Sequence, residues 1–169
     1  DIAILDYAQN QNPVVVNLNS AIIQGIYEIK RNDYWEQIET ISLTAEYRLS
    51  IMLALSAAKA ETDVEAQKHF DLVYSFKELS DLELFNLPQF LVSIINNKNG
   101  SPELKKTCLG KLEELITNSN QNLRGIVLSE ISFINGFDDE RIEILKKLIA
   151  TADFNKEQIN SVAQVFINN

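Results

Sequence analysis

The run from Ile41 to Ala60, ISLTAEYRLSIMLALSAAKA, has no polar side when it is wound as a helix. Leu43, Tyr47 and Ala54 point one way and Ala45, Leu49 and Met52 the opposite way, while Ile51, Leu53, Leu55 and Ala58 fill the flanks. A helix that is apolar all round belongs inside a fold. A membrane span would need about 18 or more apolar residues with few charges, and Glu46, Arg48 and Lys59 interrupt this run. It therefore predicts a buried central helix on which others pack. Thr40, Ser42 and Thr44 at its start leave open whether residues 34–60 form one helix or two.

Helical spacing recurs on both sides of it. Residues 2–9 suit a short helix with Ile2 and Leu5 on one face. Asn12-Pro13 reads as an N-cap followed by proline at the first helical position, opening a helix through Val15, Leu18, Ile22, Ile26 and Ile29 that closes at Lys30 and Arg31. Thr62-x-x-Glu65 and Ser80-x-x-Glu83 have the form of capping boxes. The first opens a helix over 63–78, the second a short turn through Phe85. Pro88 then starts a fresh helix, because the residue before a proline is pushed out of the α region. Further helices are expected at 88–97, 102–118, 122–135, 139–151 and 156–168, separated by Asn, Gly, Ser and Asp. Asn135-Gly136 has the composition of a left-handed helix terminator.

These segments make the chain all-α, a single domain over residues 1–169. Three prolines and five glycines are too few for a loop-rich β fold. Two architectures remain open. Matched helix ends at Ile95, Ile134 and Ile167, and at Ile116 and Ile149, lie 39, 33 and 33 residues apart. Helix-pair repeats of this length stack into solenoids, giving an irregular, HEAT-like helical repeat with a right-handed superhelix. A compact multi-helix bundle of about eight helices has similar spacings. The chain begins at Asp1 without methionine, which suggests a processed form or a piece of a longer chain.

Charge limits the partners. The net charge of −9 is concentrated in residues 1–83, which hold 14 acidic and 6 basic side chains, against 10 and 9 in residues 84–169. An acidic surface repels phosphate backbones and anionic lipid, so neither nucleic acid nor a membrane is expected, and another protein, basic or neutral, is. The single cysteine, Cys108, excludes an intrachain disulfide and is compatible with a cytoplasmic location.

Few constellations carry chemistry. Arg48 lies in the central helix, where a buried guanidinium requires a carboxylate partner or forms an anion anchor in a cleft. Glu46 is nearly opposite it on the same helix, so a partner must come from elsewhere. His69 is the only histidine, which rules out a His/Cys zinc site. Cys108 sits in the Leu104–Leu112 apolar stripe and reads as a buried, inert thiol rather than the partner of His69. The acidic groups Asp138-Asp139-Glu140 and Glu61-Thr62-Asp63-x-Glu65 fall at helix N-termini, where the dipole accounts for them. Tyr34, Trp35 and Tyr74 are candidate interface anchors. No catalytic motif, metal site or cofactor motif is recognised. The expected function is a protein-interaction or scaffold module. The alternatives are a helical enzyme or small-ligand binder with a cleft near Arg48, served by Glu46 or Asp71, and a small acidic inhibitor or immunity-type protein.

Overall fold

The structure, a computed structural model, describes residues 12–151 and residue 160. The described residues form eight α-helices and no strand: α1 (Pro13–Lys30), α2 (Asn32–Ser42), α3 (Ala45–Ala57), α4 (Asp63–Tyr74), α5 (Asp81–Ile95), α6 (Pro102–Ile116), α7 (Gln121–Ile131) and α8 (Asp138–Thr151). The all-α expectation holds, in a compact arrangement of eight helices. The helices expected at 2–9 and 156–168 lie outside the described residues, apart from residue 160.

Local chemistry sets most boundaries. Asn12 Oδ1 accepts from the Val14 N–H ahead of Pro13, and Thr62, Ser80, Ser101 and Asn120 cap α4 to α7 in the same way. The Ser80–Glu83 box is reciprocal, whereas Glu65 accepts from the Glu61 N–H rather than from Thr62. The long apolar run is divided. The hydroxyls of Thr40, Ser42 and Thr44 donate to the carbonyls of Glu36, Glu39 and Ile41, three or four residues back. Such bonds loosen a helix from within. The chain breaks at Leu43, whose side chain is 80% exposed, and restarts as α3.

Three expected boundaries move. Pro88 lies inside α5 instead of starting a helix. The capping box at one end and a face of Leu87, Phe90, Leu91, Ile94 and Ile95 buried along the rest outweigh the one backbone bond that proline removes. The helix over 63–78 stops at Tyr74, and α7 stops at Ile131, so Gly136, with φ of +77°, belongs to the turn before α8.

Packing follows an alternating order. The odd-numbered helices contact one another in sequence, α1 on α3, α3 on α5 and α5 on α7, and each even-numbered helix packs against its chain neighbours, with α6 also on α8. α1 and α3 run parallel: Ser50 Oγ, midway along α3, donates to the Val16 carbonyl in the first turn of α1, and Arg31, just past α1, donates to the Lys59 carbonyl just past α3. Beyond that pair, Asn97 and Asn99 donate to the Ala60 carbonyl. Asn96 then donates to the Phe133 carbonyl and accepts from the Asn135 N–H, 39 positions on. The ends of α1, α3, α5 and α7 are thus tied along one edge. The core runs through α3 and α5 together, so the central position expected of 41–60 is shared: Ile51, Met52, Ala54, Phe90 and Leu91 are all fully buried.

Candidate functional site

Arg31 is the sole residue between α1 and α2. Its φ of 47° and ψ of −120° are a backbone conformation that residues other than glycine rarely adopt. Four contacts hold it there. Nη1 donates to the Lys59 carbonyl at 3.1 Å, Nη2 meets Glu61 at 2.8 Å, Glu65 stands 3.9 Å away, and the guanidinium lies 5.3 Å from the Tyr27 ring centroid. The sharp turn swings α2 back so that Trp35 stands beside Tyr27 of α1, their centroids 6.1 Å apart. α4 completes the group with His69, which stacks on Trp35 at 5.8 Å with planes 9° apart and meets Tyr27 edge-on at 5.3 Å.

This aromatic group is closed to solvent. His69 Nε2 lies 2.9 Å from the Tyr27 hydroxyl. Burial, aided by the Arg31 charge, pushes the imidazole down to about 4, so it is neutral at ordinary pH. Burial raises the Tyr27 phenol, with the Glu65 charge adding to the effect. Both groups are therefore held in their uncharged forms and shaped for packing.

The outer side of the group is a groove. Trp35 Nε1 donates to Glu39 at 2.6 Å, and the Lys68 ammonium sits 5.8 Å from the indole. Between α2 and α4 opens a hollow of about 600 Å³, with Trp35, Glu36 and Glu39 on one side and Lys68, Asp71 and Leu72 on the other. Three carboxylates face one ammonium there. A second hollow, beside Arg31, has mixed charge from Glu28, Lys59, Glu61 and Lys98.

The residues singled out in the sequence scatter. Arg48 is half-buried and makes no ion pair among the described residues. Its Nη1 donates to the Lys77 carbonyl at 2.7 Å, its guanidinium lies 5.5 Å from the Phe76 ring centroid, and its Nε has no partner. The α4–α5 connection passes over the start of α3, so a backbone carbonyl takes the place expected of a carboxylate. Glu46 is exposed in the first turn of α3. Tyr34 is buried, with an unpartnered hydroxyl and a phenol raised by burial. Tyr74 is half-buried, stacked on Phe70 at 4.4 Å beneath Lys111. Of the three aromatic candidates, Trp35 alone lines the groove, and 7% of it is exposed. Asp71 lines the opposite wall and accepts from Gln67.

Cys108 is wholly buried on α6, and burial pushes its thiol up to about 12. A thiol so protonated and inaccessible is a poor nucleophile. In native buffer Cys108 is expected to react with a chromogenic disulfide reagent at least about a hundredfold more slowly than in denaturant. A fast native reaction would show that α6 opens readily. Among the described residues, no group of three or more His, Cys, Asp or Glu side chains is placed to hold a metal ion. None of the described helices is long and apolar enough to cross a membrane.

Fold and groove together define an all-α chain carrying an acidic, aromatic-walled cleft between two helices. No protein family, curated protein or solved structure matches it.

Proposed function

We propose that this chain is a protein-interaction module that receives a basic segment of another protein in the α2/α4 groove. The observation that carries this reading is the groove itself, with Glu36, Glu39 and Asp71 around the Trp35 edge and only Lys68 opposing them. Carboxylates at the rim steer a cationic partner and set its register, and the small exposed edge of Trp35 lies at the floor between them. The net charge of −9 adds long-range attraction for the same kind of partner. The odd helices, tied end to end, support the stacked-helix, repeat-like form of such scaffolds. An Arg48 cleft has less support, because that guanidinium donates to the Lys77 carbonyl.

Trp35 is the chain's only tryptophan, and its edge lines the groove, so its fluorescence responds to changes at this place in the fold. Titration with a short oligolysine peptide is expected to change that fluorescence and to saturate, with affinity falling as salt rises. Reversing two rim charges, Glu36→Lys with Asp71→Lys, should weaken binding at least about tenfold. Reversing the exposed Asp139 and Glu140 on α8 should leave it nearly unchanged. Equal losses from both pairs, or an unresponsive tryptophan, would remove the groove from the account.

A further inference from the structure

α1 has two apolar faces. One carries Val16, Ser20, Ile23 and Tyr27 and is buried, with Val16 directly against α3 through the Ser50 hydroxyl. The other carries Val14, Leu18, Ile22 and Ile29, which are 72%, 50%, 36% and 80% exposed. At 100° per residue the two faces point roughly 170° apart. α3, also apolar on opposite sides, shows what such a helix does in this fold: it packs α1 on one side and α5 on the other. α1 has its inner neighbour, and among the described residues nothing covers its outer stripe.

We infer that the outer stripe of α1 is a self-association surface, on which a second copy of this chain docks its own α1 in antiparallel orientation. The stripe is self-complementary. A two-fold axis between Ala21 and Ile22 sets Val14 against Ile29 of the other copy and Leu18 against Gly25 at each end, the reciprocal pattern that a two-fold interface demands. A Cβ added at Gly25 would meet nothing within 4 Å, so this position is an open notch able to take a leucine side chain. Large residues thus face small ones on both sides of the axis.

Charge favours the same occupant. Residues 12–27 contain no Asp, Glu, Lys, Arg or His, and so no charged side chain, in a chain of net charge −9. Two copies repel one another over most of their surface, and α1 is a face on which they can meet without bringing carboxylates together. A single helix pair covers less than the roughly 800 Å² per partner of a standard interface, so the dimer is a weak one, dissociating at micromolar concentrations or above. Salt should tighten it by screening the net repulsion, the opposite of its effect on a basic partner in the groove.

Sedimentation equilibrium of the full chain over a concentration series tests this. The expected result is a monomer–dimer equilibrium strengthened by added sodium chloride. Leu18→Glu should raise the dissociation constant at least about tenfold with an unchanged circular dichroism spectrum, since this side chain is exposed in the single copy. An Ile22→Cys variant should be linked into dimers by a short bismaleimide, with the buried Cys108 silent, and Leu43→Cys, more exposed but away from α1, should not. A parent chain that stays monomeric, a dimer indifferent to Leu18→Glu, or equal cross-linking at positions 22 and 43 would each overturn the inference. Dimerisation that appears only after deletion of residues 1–10 would also overturn it, because that segment would then be what covers the stripe in the intact chain.

Discussion

Ile51→Asp is expected to leave the protein unfolded, while Leu43→Asp, eight positions earlier in the same apolar run, should stay within about 0.5 kcal/mol of the parent. Ile51 is fully buried in α3, between α1 and α5. The substitution removes a core side chain, worth about 2–5 kcal/mol when cut to alanine. It also puts a carboxylate where no partner can reach it, at a further cost of several kcal/mol. Together these approach the whole stability of a domain, about 5–15 kcal/mol. Leu43 sits at the break between α2 and α3 with most of its surface in water, so a charge there loses little packing and meets no desolvation. Leu49, half-buried on the flank of α3, should fall between them. Urea melts followed by circular dichroism rank the three variants. A folded Ile51→Asp would mean that α3 is not enclosed, and a collapse caused by Leu43→Asp would mean that the run is one continuous buried helix.

That contrast marks how far local signals carry. Caps and short connections act within four residues, so Asn12, Thr62 and Ser101 mark the starts of their helices from sequence alone, whereas Ser80, read as opening only a short turn, in fact starts the whole of α5. The division of the apolar run depends on three hydroxyls choosing the backbone over solvent, which the sequence leaves open. Pro88 misleads because the rule it obeys is local, whereas the burial that keeps α5 continuous comes from α3, α6 and α7. The tie between Asn96 and Asn135 leaves only a faint trace, the 39-residue spacing between the ends of neighbouring helices. Its bonds join side chain to backbone and impose no periodic pattern.

The groove was legible in part. An aromatic pair at a helix start drew attention to Tyr34 and Trp35, but adjacent residues on a helix point about 100° apart, and which one meets the groove depends on the angle of α2. That angle is set by Arg31, read in sequence as an ordinary basic residue complementing a helix C-terminus. The signal available was its place as a lone hinge with no glycine, a position where the backbone conformation must be held by the side chain's own contacts. Arg48 drew more weight than it carries, because the carbonyl that receives it lies 29 positions away and backbone acceptors leave no mark in a sequence. His69, Tyr27 and Trp35 come from three helices, and nothing in their spacing brings them together.

Their meeting has a measurable consequence in acid. The His69 imidazole titrates near its ordinary value of 6.5 in the unfolded chain and at about 4 in the folded one. The unfolded state therefore binds the proton first. Stability is fully present above pH 6.5 and is lost as pH falls toward 4, by about 3 kcal/mol over that interval. Arg31 and Lys68, both close to the ring system, oppose an imidazolium, and the Glu65 carboxylate near Tyr27 favours one; burial is the leading cause and sets the direction. Carboxylates titrate in the lower part of the same range, so the parent's curve alone is ambiguous. A His69→Phe variant keeps a ring against Trp35 and cannot take the proton. It should be less stable than the parent at pH 7.5, having lost the bond to the Tyr27 hydroxyl, and the gap should narrow by about 3 kcal/mol by pH 4. The carboxylate contribution cancels in that difference. Paired denaturant melts at half-unit intervals measure it, and a gap constant with pH would show that His69 is protonated as readily folded as unfolded, and hence that the Tyr27–Trp35–His69 group is open to water.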